Sequence, residues 1–307
     1  MNFTNLGYAE HIALNDMKDE IFLSTINSTD SYYIMKMSGD GKLLNNWTFV
    51  EPEENRAPFS ISPQSFQPND IAVDSEGNVY VTAVNLGVLK FSNDGKFIKQ
   101  WGSMGLLMQE RTQNKPTDDM LDAGGIAVDS TGNVYVSDWT ADEIKKFSPD
   151  GKFLTKWGSY GTNDGELNMN HGHLSIDSTG NIYVVDDGNS RIQKFSPDGK
   201  FLTKWGSQGN GDGEFDQPGD IALDSQKGVL FVTEFANQRI QKFNTDGKFL
   251  TKFAEFEVLS DVAVNTNTGL VYVTDGRGDS DHPVRVFAPI SALNATTSSV
   301  QNNSSPS

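Results

Sequence analysis

The sequence predicts an all-β chain folded as a six-bladed β-propeller with four short strands per blade. Three observations predict it. "KFSPDGKFLTKWGS" occurs unchanged at Lys146–Ser159 and Lys194–Ser207, an offset of 48 residues, with variants beginning at Lys90 and Lys242. Extended outward, the unit reads "IAVD", a turn, "VYVSD", a loop, "IKKF", the turn "SPDG" and "FLTKW", which is four strands per repeat. Finally, the "PDG" and "NDG" turns supply the glycine that tight hairpins need for a positive φ.

The first strands are expected near Ile12, Ile71, Ile126, Leu174, Ile221 and Val262. The first unit is degenerate but keeps "GDGK" and a Trp in phase. The last lacks a clear fourth strand, and an open sheet edge invites aggregation. Residues 1–6, "MNFTNL", are expected to close it, with Ile290–Leu293 as the alternative. The propeller then spans 1–290, and the Ser-, Thr- and Asn-rich stretch 291–307 reads as a disordered tail. The Asp or Asn after each first strand (Asn15, Asp74, Asp129, Asp177, Asp224, Asn265) is expected to make an Asx-type turn, and Trp101, Trp157 and Trp205 to pack between blades.

With 307 residues, 36% of them hydrophobic, the chain can bury a large core as one domain. Its net charge of −17 argues against a nucleic-acid partner, because phosphate-backbone binding needs clustered Lys and Arg. No apolar run is long enough to span a bilayer, and the N-terminus lacks the basic start and apolar stretch of a signal peptide. The chain is therefore expected to be cytosolic or a mature segment. Without cysteine there are neither disulfides nor thiolate sites. Six sequons, at Asn2, Asn27, Asn46, Asn294, Asn302 and Asn303, all lie toward the ends. They point to a glycosylated, secreted or surface protein.

Segments such as "YVVDDGNSRIQKFSPDGKFLTKWGSQGNGDGEFDQPGDIALD" resemble NHL repeats, over about residues 69–287. The resemblance implies a propeller of NHL-type blades, and its members include scaffolds, RNA binders and lyases. Arg191 and Arg239 match the arginine of the "N-x-R-I-Q" motif and are read as inter-strand structure. In lyases built on this repeat the metal histidine sits in an "H-x-(I/L)-A" context. Gly172 holds that place here, with Gly219 and Gly124 in the corresponding blades, which argues against carrying that chemistry over.

Blade phase turns sequence into space. The residue just before the first aliphatic of each inner strand gives a ring of His11, Asp70, Gly125, His173, Asp220 and Asp261 at one channel mouth. In "NHGHLSID", His173 falls in phase with His11, three blades away, whereas His171 is out of phase. Imidazole with carboxylate suits zinc, manganese or iron, and carboxylate alone suits calcium. His11, Asp70, His173, Asp220 and Asp261 are thus the candidate ligands of one divalent cation (Ca, Zn or Mn). The competing reading has each Asp bonding backbone N–H groups of its neighbour.

The same face carries the longest insertions, one of which holds Met104, Leu106, Leu107 and Met108 as a candidate apolar lid. "NDGE" at 163–166 and "GDGE" at 211–214 resemble calcium-loop fragments, and the Arg277-Gly278-Asp279 tripeptide is ascribed to chance. The expected function is a non-catalytic binding propeller, outside the cell or on its surface. It would present its loop face to a protein, glycan or small molecule, with the tail as a tether in a longer form. The alternatives are a metal-dependent lyase or lactonase-like hydrolase using the ring, and a cytoplasmic scaffold.

Overall fold

The structure is a computed structural model that describes residues 8–26, 31–48, 66–102, 122–254, 259–274 and 283–288. Six antiparallel sheets succeed one another along the chain. Their first strands are β1 (Tyr8–Asn15), β5 (Pro68–Val73), β9 (Ala123–Val128), β13 (Leu174–Ile176), β17 (Pro218–Asp224) and β21 (Val262–Val264). The second strands are β2 (Glu20–Ile26), β6 (Val79–Ala83), β10 (Val134–Asp138), β14 (Ile182–Asp186), β18 (Val229–Glu234) and β22 (Val271–Thr274). The third are β3 (Tyr32–Ser38), β7 (Gly87–Phe91), β11 (Glu143–Phe147), β15 (Arg191–Phe195), β19 (Arg239–Asn244) and β23 (Val284–Phe287). Five sheets add a fourth strand: β4 (Leu43–Trp47), β8 (Phe97–Trp101), β12 (Phe153–Trp157), β16 (Phe201–Trp205) and β20 (Phe249–Ala254).

Each first strand touches the next around the circle, and β21 returns to β1, so the chain is a six-bladed β-propeller. The burial of each strand follows its radius. Second strands β6, β10 and β14 are buried at every position, because a neighbouring blade covers each face. Outer strands β12 and β16 alternate between half-buried and exposed. That is why "VYVSD" is apolar on both faces while "FLTKW" alternates with lysine, which also guards an edge against mispairing.

The blades interlock through the repeat's own residues. Trp101 packs on Phe147 of the following blade, Trp157 on Phe195 and Trp205 on Phe243, at centroid distances of 6.2–6.3 Å. Trp47 does the same with Phe91. In blades two to four the Asx turn is formed as expected: Asp129 Oδ1 accepts the N–H groups of Thr131 and Asn133, and its other oxygen accepts the Tyr135 hydroxyl. Asn15, Asp224 and Asn265 accept instead from the residue three places on.

Two details differ from expectation. In blades one, two, three and five the inner strand begins three or four residues earlier than Ile12, Ile71, Ile126 and Ile221. Those residues continue the ladder through a register shift next to the ring position, as between Pro68 and Asp70. In blade four the extension is missing and β13 starts at Leu174. The last sheet has three strands among the described residues. Residues 1–6, Ile290–Leu293, the tail 291–307, Met104–Met108, the Arg277–Asp279 tripeptide and all sequons except Asn46 lie outside the described residues. The seam from last to first blade is nonetheless fastened: Thr266 donates its N–H and hydroxyl to Asp16 Oδ2 at 2.7 and 2.6 Å.

Candidate functional site

The ring residues converge. One ligand atom each from His11, Asp70 and Asp261 lie within 4.8 Å of one another, as do atoms from His173, Asp220 and Asp261. His173 Nδ1 lies 3.5 Å from Asp70 Oδ2 and 3.4 Å from Asp220 Oδ1, and His11 Nδ1 lies 3.6 Å from Asp261 Oδ2. None of these contacts has hydrogen-bond geometry, so both Nδ1 atoms are buried without a hydrogen-bond partner. Gly125, the sixth ring position, contributes no side chain.

The aspartates are also structural latches. Asp70 accepts the N–H of Ile71 on its own strand and of Ile126 on the next, at 2.7 and 2.8 Å. Asp220 accepts from Val262, and Asp261 from both Val262 and Ile12. Each of these carboxylates therefore bonds its neighbour's backbone and also faces a histidine. A carboxylate oxygen that accepts one N–H retains a second lone pair.

Electrostatics reflects the crowding. Burial, and then the neighbouring Asp220, raise Asp261 well above its ordinary value. Burial pushes His11 down to about 4 against the pull of Asp70. Burial also disfavours a charged His173, but Asp70 and Asp220 outweigh it and hold the ring up at about 9.

Blade four explains "HGH". The His171 carbonyl accepts the N–H of Gly125 at 3.2 Å and the Ser137 hydroxyl at 3.1 Å. A Cβ on Gly124 would fall 2.0 Å from that oxygen, so blade three needs glycine there. Gly172 turns the chain at φ +63°, leaving His173 buried and the His171 side chain 68% exposed. His171 is therefore outside the ring, with Nδ1 3.7 Å from Asp187 Oδ2.

Three further sets of residues were legible in phase but not singled out. Second-strand hydroxyls Ser24, Thr82, Ser137, Thr233 and Thr274 accept the N–H of the residue at or beside the ring or reach the next blade's carbonyl. Val185 replaces them in blade four. The residues just past the second strands, Val84, Trp139, Asp187 and Phe235, form a rim. Asp138, Asp186 and Glu234 end the second strands and are buried. Asp186 and Glu234 bind Arg191 and Arg239 at 2.6 Å, which confirms the structural reading of those arginines. The same guanidinium groups donate to loop carbonyls of "NDGE" and "GDGE", including Glu166 and Glu214, so those loops are internally satisfied.

The two sides of the ring differ. His11 and His173 line a mouth cavity of about 360 Å³. Asp70, Asp220 and Asp261 line the channel beneath, of about 210 Å³, whose remaining wall is mostly aliphatic. Imidazoles thus form the floor of the mouth cavity.

A six-bladed, ring-closed β-propeller with a His/Asp cluster across one channel mouth is the class these observations define. Comparison with known proteins agrees: residues 176–288 match a family described as a 6-bladed beta-propeller, and residues 59–84 match a beta-propeller repeat. The chain is 32% identical over 140 residues to peptidylglycine alpha-amidating monooxygenase of Rattus norvegicus, covering 43% of this chain and 14% of that protein. Among solved structures, a streptogramin B lyase aligns at TM-score 0.59 and 13% identity, covering 94% of this chain and 86% of the other. A gluconolactonase from Xanthomonas campestris aligns at 0.62 and 15%, covering 90% and 86%. At such identities the likeness shows the fold alone.

Proposed function

We propose that the protein is a non-catalytic ligand-binding propeller of NHL type that works through its channel mouth. In this reading one divalent cation is held by the ring formed by His11, Asp70, His173, Asp220 and Asp261. The observation that carries the cation is the pair of buried, unpartnered imidazole nitrogens facing three carboxylates. A buried polar atom without a hydrogen bond is costly, and a metal would give each nitrogen a partner within a set that shares Asp261. Mixed nitrogen and oxygen donors favour zinc or manganese over calcium. Bound there, the ion would supply a Lewis-acidic position on the cavity floor.

The partner is a protein, glycan or small molecule on the mouth face. An extracellular or cell-surface location is supported by the acidic charge and the sequons, of which Asn46 lies exposed on β4. A metal-dependent lyase or hydrolase is the second reading, favoured by the histidines forming the floor of an open cavity rather than lying in a sealed core.

The test is metal analysis after dialysis against a mild chelator, beside the double variant His11→Ala/His173→Ala. The proposal expects one divalent ion per chain, lost in the variant. A metal-free wild type that also fails to take up zinc or manganese would overturn it. Turnover of esters or lactones that disappears in the variant would favour the enzymatic reading.

A further inference from the structure

Trp139 and Phe235 are each 41% exposed, and both line the mouth cavity. The other four tryptophans, Trp47, Trp101, Trp157 and Trp205, pack in the cores between blades, whereas Trp139 and Phe235 belong to no core cluster. They occupy equal positions in blades three and five, on either side of the "HGH" blade. Their backbones are anchored: Trp139 N–H donates to the Asp122 carbonyl at 3.2 Å and Phe235 N–H to Gln217 at 3.0 Å. The Phe235 ring lies over Gly219, where a Cβ would fall 2.6 Å from Cε2. The two backbones are thus tied to the chain just ahead of the first strands of blades three and five.

The polar lining is as selective. Among the described residues no Lys or Arg borders the cavity, while Glu10 does and three aspartates lie just below its floor. An anionic ligand would face Glu10 and the three aspartates, with the floor cation and His173 to offset them only in part. An organic cation would have to compete with a metal ion already seated in the ring. A wholly apolar ligand would strip water from the exposed amides of Gln67 and Asn170 and from the imidazoles without replacing its hydrogen bonds. A neutral molecule with one apolar face and many hydroxyls meets none of these penalties.

We propose that the mouth binds a neutral saccharide, its apolar C–H face against Trp139 and Phe235 and its hydroxyls toward the amides and the cation on the floor. The inference rests on the ligand-binding reading above and names its ligand class. The cavity volume of about 360 Å³ suits one or two sugar rings. Aromatic side chains serve such a role because they combine a large apolar surface with little conformational entropy to lose.

The experiment titrates the full, zinc-loaded chain with glucose, galactose, mannose, N-acetylglucosamine, maltose and cellobiose. Glucose 6-phosphate, glucuronate and choline serve as comparisons, with tryptophan fluorescence and calorimetry as readouts. At least one neutral sugar is expected to bind at about 10 mM or tighter, with the anionic sugars and choline weaker by about tenfold. Trp139→Ala should weaken it about tenfold and Phe235→Ala severalfold, both with unchanged metal content. No binding by any neutral sugar, equal binding by Trp139→Ala, or preference for choline or an anionic sugar would each overturn the proposal. Sugar binding that survives complete removal of metal would instead leave the saccharide site standing and remove the cation from the reading.

Discussion

His11 and His173 stack across the channel, with ring centroids 6.0 Å apart and planes 29° from parallel, although 162 residues separate them in sequence. Their Nδ1 atoms point to different carboxylates around the same floor. Loss of a group outside a metal's direct ligands usually weakens binding 10- to 100-fold, so His173→Ala should weaken zinc by at least about a hundredfold. His171→Ala, exposed and outside the ring, should change it by less than about threefold. Competition against a chromophoric chelator separates the two, and equal losses would show that the ring is not the binding set.

Asp261 has two duties that substitution can separate. It accepts the N–H of Ile12 at 2.7 Å and of Val262 at 3.1 Å, joining the last blade to the first. Asp261→Ala removes both acceptors; Val262 keeps Asp220 Oδ2 at 2.9 Å, so Ile12 is the buried donor left without Asp261, at a cost of about 1–3 kcal/mol. Asp261→Asn keeps one carbonyl acceptor and removes an acid that burial and Asp220 already disfavour as an anion. In chelator, urea unfolding should therefore show a clear loss for the Ala variant and a smaller one for Asn. Metal binding should fall in both. Equal stability of Asp261→Ala and wild type would show that the latch contributes nothing.

The legibility of this chain follows its repetition. The blades could be read because "KFSPDGKFLTKWGS" recurs unchanged, and the ring because equal phase means equal radius. The same phase argument applied to the second strand would have revealed the hydroxyls from Ser24 to Thr274 and the rim of Val84, Trp139 and Phe235. The convergence of the ring is another matter. Whether Asp70 turns toward the channel or the backbone depends on side-chain direction at a strand irregularity, and it does both. Phase puts His171 outside the ring but not where its side chain goes, because Gly172 at positive φ takes blade four out of the extended conformation that phase assumes.

The Asx turns should add their own loss of stability in acid. Partial burial opposes ionisation of Asp129 and Asp177, but hydrogen bonds from Thr131 and Asn133, and from Thr179 and Asn181, outweigh it and hold both below 3.8. A group whose pKa is lower folded than unfolded contributes stability above its unfolded value and loses it as pH falls through the folded one. The stability gap between wild type and Asp129→Asn should thus be full near pH 5, begin to shrink below about pH 4, and close as pH falls further. Urea midpoints across that range check it, and a gap that widened in acid would contradict the assignment.

The hairpin glycines tie turn chemistry to blade packing. Gly199 sits at φ +82°, and a Cβ there would fall 2.5 Å from Trp157 Cδ2 of the preceding blade. Gly151 and Gly247 meet Trp101 and Trp205 in the same way. Gly199→Ala therefore adds two costs: about 1–2 kcal/mol for an L-residue in left-handed backbone, and the displacement of a packed indole. Gly213 separates them, since it has φ +85° and nothing within 4 Å of its would-be Cβ. Gly213→Ala should lose only the backbone part, whereas Gly199→Ala should lose about 1–3 kcal/mol more and shift Trp157 fluorescence to the red. If the two variants unfold at the same denaturant concentration, the glycine serves only the turn. If Gly199→Ala is the weaker, the "DGK" hairpin is selected by the tryptophan of the blade before it, and the repeat is a statement about neighbours as much as about strands.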